Sequence, residues 1–287
     1  MALKGAVCIL ALIALLWPNS LDGPFKTGFS MGTLGTITAK NSMLLCRDTL
    51  KRNSLGCKWS LSATYTSFYD AMDNLRDKNV YQVGIDAIVT RKHLLMYLSA
   101  NQFNALLMYY EQYCTGGLDY ELLNLISIGV AVTGLRTGIT CYNDNHVSAM
   151  FNGNLKARIN NVVIGGQILN VPLKSTKTSG VIPMLMYGFG IQTLENVFGT
   201  QAFRLEIRPD LEKKVRWLLG DELTIGKRIT IQCAIANNPV QVSVGLQVEL
   251  KSLLSSIALV NNEKLGWSKG VSFGWFGGGR SNWKKKT

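Results

Sequence analysis

A chain of 287 residues with 47% hydrophobic and 17% charged side chains is long enough to bury a core and too apolar to be disordered. Its 30 Lys and Arg outweigh 18 Asp and Glu, for a net charge of +12, which favours polyanionic partners such as nucleic acid or anionic lipid over cationic ones. Six cysteines spread over this length exclude a small disulfide-stapled scaffold.

Residues 1–20 read as a signal-like apolar segment. Lys4 supplies a positive start, Ala6–Trp17 is an unbroken apolar run, and Pro18, Asn19 and Ser20 end it. The run is shorter than the roughly 20 residues a spanning helix needs, so it is expected to be cleaved or to stay as a shallow anchor. With Cys8 inside it, five cysteines remain. Cys46 with Cys57 and Cys114 with Cys141 are spaced to close loops in an oxidising lumen, and buried thiols are the equal alternative. No Asn-x-Ser/Thr sequon occurs.

Residues 21–125 form a mixed region. Gly28, Gly32 and Gly35 interrupt its start, Ser67–Arg76 suggests a short helix, and Tyr81, Val83 and Ile85 alternate as in a strand. The segment at about 91–113 is predicted as the best helix, with Leu94, Leu95, Leu98, Ala105 and Leu106 on an apolar face and Gly116–Gly117 as its stop. Asp119–Leu125 suggests a second short helix capped by Asp119.

From 126 to 260 the period changes to two. Ile126, Ile128, Val130 and Val132 alternate with small residues, followed by Leu155 to Ile159, Phe203 to Ile207 and Ile229 to Ile235. Val240 to Leu250 is the cleanest alternation in the chain. Strict alternation predicts antiparallel strands, with the apolar face in the core and the other face wet. Asp210–Leu219 is expected to interrupt as a helix. The predicted fold is mainly β with α additions, an antiparallel jelly-roll-like sandwich with flanking helices. A basic, aromatic and Gly-rich tail, 261–287, follows. Within it Lys264, Lys269, Arg280, Lys284, Lys285 and Lys286 are interleaved with aromatics including Trp275 and Trp283. Cations that meet phosphate and rings that stack on bases make these the predicted nucleic-acid-binding residues, and the same composition suits an anionic membrane surface.

Catalytic chemistry is not visible. Gly220–Arg228 has five residues between its glycines and Arg228 where a magnesium-binding hydroxyl belongs, so it is no phosphate loop. His93 and His146 are the two histidines of the chain, too few for most zinc or acid–base sites. No metal site or cofactor is expected, and the chain reads as a non-enzyme.

Ile128–Val147, IGVAVTGLRTGITCYNDNHV, resembles the signature region of the 30K superfamily of plant-virus movement proteins. Gly129 to Gly134 matches its first, glycine-bearing strand. Ile139, Cys141 and Asp144 match the second, with His146 at the position usually held by Arg, and Val171-Pro172 fits the later strand that runs into a proline. Asp144, in the sequence Asn143-Asp144-Asn145, also reads as an ordinary turn former. The resemblance, which suits members from segmented negative-strand viruses of the emaravirus kind, covers about Ile126 to Leu250. It implies a cell-to-cell movement protein that binds single-stranded RNA, associates with endoplasmic reticulum and plasmodesmal membrane, and has the viral nucleocapsid protein and further copies of itself as partners. Two other readings stand beside it. One is a secreted effector or pore-forming toxin, suggested by the apolar start, the strands and the glycines; the other is a viral capsid or matrix protein.

Overall fold

The computed structural model describes residues 59–67, 80–91, 93–105, 109–122, 126–139, 144–159, 162–175, 184–192, 200–209, 215–225, 228–237, 240–262 and 266–277. They form fourteen strands: β1 (Trp59–Ser67), β2 (Val80–Arg91), β3 (Leu94–Ala105), β4 (Tyr109–Leu122), β5 (Ile126–Ile139), β6 (Asp144–Ile159), β7 (Val162–Ser175), β8 (Met184–Gln192), β9 (Thr200–Pro209), β10 (Val215–Ile225), β11 (Ile229–Ala236), β12 (Gln241–Leu250), β13 (Leu253–Asn262) and β14 (Gly266–Gly277). Each pairs antiparallel with its neighbours in sequence. β1 pairs with β14, from Trp59 opposite Gly277 to Ser67 opposite Lys269, so the sheet closes on itself. An up-and-down closed barrel has no edge strand to protect.

This corrects the predicted architecture. A jelly roll requires Greek-key crossings between two sheets, and here no strand pairs out of sequence order except at the closing seam. The described residues contain no helix. The helix expected at about 91–113 is β3, a three-residue connection and the start of β4. Its leucines, which fit a helical face, separate into Leu95, buried inside the barrel, and Leu98, exposed outside. Asp119–Leu122 belongs to β4 and Val215–Leu219 to β10, so those two helical expectations also give way; the rest of Asp210–Leu219 and most of Ser67–Arg76 lie outside the described residues. The mixed region and the tail are not separate from the β core, because β1–β4 and β14 complete the same sheet as β5–β13. The signal-like segment 1–20 lies outside the described residues.

The two ends of the barrel differ. β1 begins and β14 finishes at one end, where β2–β3, β6–β7 and β12–β13 are joined by pairs of residues. In the turn between β12 and β13, Lys251 takes a φ of 52°, and Ser252 O accepts from Phe276 N at 2.9 Å. The opposite end carries the two longest connections, 68–79 between β1 and β2 and 176–183 between β7 and β8, while 193–199 between β8 and β9 is the one long connection at the first end.

Glycines let side chains lie flat on the wall at two places. At the seam the Trp59 indole occupies the space a Cβ on Gly277 would take. Inside, the Tyr97 ring lies against Gly117, its partner across β3 and β4, and packs on Ile88 and Leu95. Gly116, one residue away and outward, has nothing closer to such a Cβ than Leu98 Cδ1 at 4.0 Å. Gly117→Val is therefore expected to destabilise the refolded barrel by about 1–3 kcal/mol, because Tyr97 must leave its cluster, whereas Gly116→Val leaves stability unchanged. Urea unfolding followed by tryptophan fluorescence separates the two.

Candidate functional site

Alternation in these strands is inverted relative to a soluble sheet. In β12, Val242, Val244 and Leu246 are exposed on the outer surface, and Ser243, Gln247 and Glu249 are buried toward the interior. β11 repeats the pattern with Ile229, Ile231 and Ile235 outward and Thr230 and Gln232 inward, and β14 repeats it with Trp267, Val271 and Phe273 outward and Ser268 and Ser272 inward. On β5, Ile128, Val130 and Val132 face out while Ser127 and Thr133 face in. The alternation predicts these apolar residues as a core; they cover the outside instead. A contiguous exposed apolar surface of this extent is unfavourable in water and favourable against hydrocarbon.

Aromatic residues bracket that surface. Toward the end with short turns stand Trp59, Tyr120 and Trp275, all about half exposed. Toward the other end stand Tyr65, which stacks on Tyr81 with ring centroids 6.2 Å apart, together with Trp217 and Trp267. Trp217 is fixed there through its backbone, N to Asn237 Oδ1 at 2.7 Å. Tyr110 and Tyr120 bound β4 from its two ends. Ten residues at roughly 3.4 Å each, tilted by about 40°, span roughly 26 Å of membrane depth, close to the apolar band of known transmembrane barrels. Amphipathic rings prefer the two membrane–water boundaries.

The interior is lined largely by small and uncharged polar groups that bond to one another. Thr115 Oγ1 and Thr133 Oγ1 are 2.8 Å apart, and Asn152 Nδ2 donates to Thr133 Oγ1 at 3.0 Å. Asn101 Nδ2 donates to Ser99 Oγ at 2.6 Å, the Tyr109 hydroxyl donates to Glu111, and the Ser256 and Ser272 hydroxyls pair. Asp86, Asp119 and Glu249 are buried on the same face. Ser62 Oγ, Asp119 Oδ1 and Gln247 Oε1 have no hydrogen-bond partner among the described residues. Buried polar atoms of this kind are ordinarily met by water. Apolar side chains such as Phe103, Leu135 and Met150 are interspersed, so the wall is mixed rather than uniformly polar.

The residues singled out by sequence do not assemble into one site. Gly129 faces inward on β5 opposite Asn154, while His146 on β6 pairs with Thr137, eight residues and roughly 27 Å further along the strand. Asp144 opens β6 opposite Ile139. Pro172 is exposed, opposite Met150 beside a register irregularity. On β14, Lys269 and Trp275 lie on the outer surface, where Trp275 belongs to the aromatic belt instead of a base-stacking platform. Lys264, Arg280, Trp283, Lys284, Lys285 and Lys286 lie outside the described residues. Cys114 is a free, exposed thiol, and Cys141, suggested as its partner, lies outside the described residues. Among the described residues no cluster of metal ligands occurs, and no helix is long and apolar enough to cross a membrane, a statement that does not concern strands.

No protein-family model matches the chain, and no curated protein matches it. Among solved structures it is similar to the outer membrane protein Omp33 of Acinetobacter baumannii, at 7% identity and a TM-score of 0.53, covering 78% of this chain and 99% of that one. A triple mutant of the Rhodopseudomonas blastica porin follows at 8% identity and 0.45, covering 76% of this chain and 99% of that one. CdiB of A. baumannii stands at 10% identity and 0.43, covering 77% of this chain and 60% of that one. The likeness to Omp33 shows that the chain shares the closed antiparallel β-barrel fold of that protein. It overturns the resemblance to movement proteins, and with it the expected RNA and nucleocapsid partners and the plasmodesmal and endoplasmic-reticulum location. The IGVAVTGLRTGI segment that carried the resemblance is β5 of the barrel; a glycine-containing apolar strand is common to both folds.

The Thr133 hydroxyl is the hub of the interior polar contacts on β4–β6. Thr133→Val is expected to lower barrel stability by about 1–3 kcal/mol, since Asn152 Nδ2 loses its acceptor and Thr115 its partner. Asn152→Ala on the same background should then cost less than it does alone, and a double-mutant cycle in urea unfolding measures the coupling.

Proposed function

We propose that the chain is a transmembrane β-barrel of the outer-membrane type whose water-bearing interior passes small polar solutes or ions. The observation that carries this reading is the inverted alternation, with Val242, Val244 and Leu246 outward and Ser243, Gln247 and Glu249 inward on one strand. Only a bilayer rewards that arrangement on the outside, and only a strand system closed at β1–β14 satisfies its own backbone groups there. The two aromatic belts, the even strand number and the contrast between short-turn and long-loop ends are further support. The apolar run Ala6–Trp17 behind Lys4 is of the kind that directs export. Omp33 is an outer membrane protein, and the fold shared with it is consistent with the same type of membrane. The reading takes up the pore-forming alternative raised by the sequence. It assigns no catalytic residue.

Two measurements test it. Protein refolded into liposomes is expected to run faster on gels when unheated than when boiled, and to give stepwise conductance in planar bilayers. Particles that stay soluble without detergent, or bilayers that stay silent while the barrel is inserted, would contradict the membrane and channel parts respectively. Leu246→Arg, an outward charge in the apolar band, is expected to cost roughly 2–4 kcal/mol of insertion free energy, whereas Ser243→Asn, inward on the same strand, leaves insertion intact.

A further inference from the structure

Across β1–β6 the outer surface carries a shallow, largely open depression. It lies on one row of the sheet, where Ala63, Ile85, Ala100, Cys114 and Gly134 stand side by side in register. Three of those five side chains are no larger than Ala. At Gly134 a Cβ would meet nothing nearer than the Cys114 carbonyl oxygen at 4.0 Å, so the depression is open there. The next row toward the long-loop end is polar at its centre: Gln102, Gln112 and Arg136 are consecutive cross-strand partners. Gln112 Nε2 donates to Gln102 Oε1 at 3.3 Å. The Arg136 guanidinium is held 5.8 Å from the centroid of the Tyr110 ring, at the level of the aromatic belt.

Resting on the membrane-spanning reading, we infer that this depression is a binding site for one anionic phospholipid of the surrounding bilayer. A phosphate sits at Arg136 with the two glutamine side chains beside it, and an acyl chain lies in the depression over Ala100, Cys114 and Gly134. Two observations converge on that occupant. The depression is apolar within the band and its rim carries a cation. The rim also coincides with the belt where headgroups reside, so charge and hydrophobicity are arranged along the axis of a lipid molecule. Tyr110 orients the guanidinium without neutralising it, as a carboxylate would.

The test uses the full chain refolded in vesicles of equimolar phosphatidylglycerol and phosphatidylcholine, extracted in mild detergent and weighed by native mass spectrometry. The wild-type barrel is expected to retain one phosphatidylglycerol in preference to phosphatidylcholine. Arg136→Gln should reduce that retention about fivefold, the amount one interfacial cation contributes. Gly134→Trp, which fills the depression from an outward, unobstructed position, should reduce it as strongly, while Lys269→Gln, an outward cation on β14, leaves it unchanged. Equal retention in all four proteins, or no preference between the two lipids, overturns the proposal. So does a dimer in the wild type that Gly134→Trp abolishes, because a second copy would then own the depression. Gel mobility of unheated samples reports barrel formation separately. A chain that never inserts defeats the membrane reading itself, whereas an inserted, conducting barrel without retained lipid defeats only the lipid site.

Discussion

The structure depends on the hydrogen-bonded seam between β1 and β14. Along it, Trp59 to Ser67 pair with Gly277 to Lys269 in unbroken register, and the closure leaves no strand edge exposed. In hydrocarbon each unpaired backbone group costs several kcal/mol with no water to relieve it, so a sheet with two open edges is not viable there. Once the seam is made, every strand is free to turn its apolar side chains outward, and the inside becomes available for polar ones. The inversion of Val244 and Ser243 relative to a soluble sheet follows from closure rather than from either residue.

The interior takes its character from what must coexist there. Small hydroxyl and amide side chains satisfy one another across strands, as Thr115, Thr133 and Asn152 do. The oxygens left over, on Ser62, Asp119 and Gln247, call for water. Phe103, Leu135 and Met150 add rigidity to the wall without abolishing that demand. The outside is equally differentiated. Its aromatic belts mark depth, and between β1 and β6 the band is indented instead of smooth. The lipid site proposed above uses that relief together with the Arg136 cation held over Tyr110.

Much of the strand structure was legible. The alternations at Ile126–Val132, Ile229–Ile235 and Val240–Leu250 coincide with β5, β11 and β12. The segment 91–113 was not, because Leu94, Leu95 and Leu98 satisfy helical spacing as well as they populate both faces of a strand. The tail misled for a different reason. Trp267, Lys269, Phe273 and Trp275 have the composition of a nucleic-acid arm, but at every second position of β14 they form one outward row. A hint was present in the partners of the apolar residues. Between the valines of β12 stand Ser243, Gly245 and Gln247, with little of the Lys and Glu that an exposed soluble face carries.

Sequence alone placed stretches of β5, β6, β9, β11 and β12, since a period of two is a local property of neighbouring residues. It also determined that the chain is apolar and basic. It was silent on which face meets which solvent, because alternation looks the same whether the apolar side is buried in a core or pressed against lipid. That choice belongs to the tertiary structure. Fourteen strands joined through β1 and β14 enclose an interior that the small polar residues can line, and the apolar residues are left on the only other surface there is.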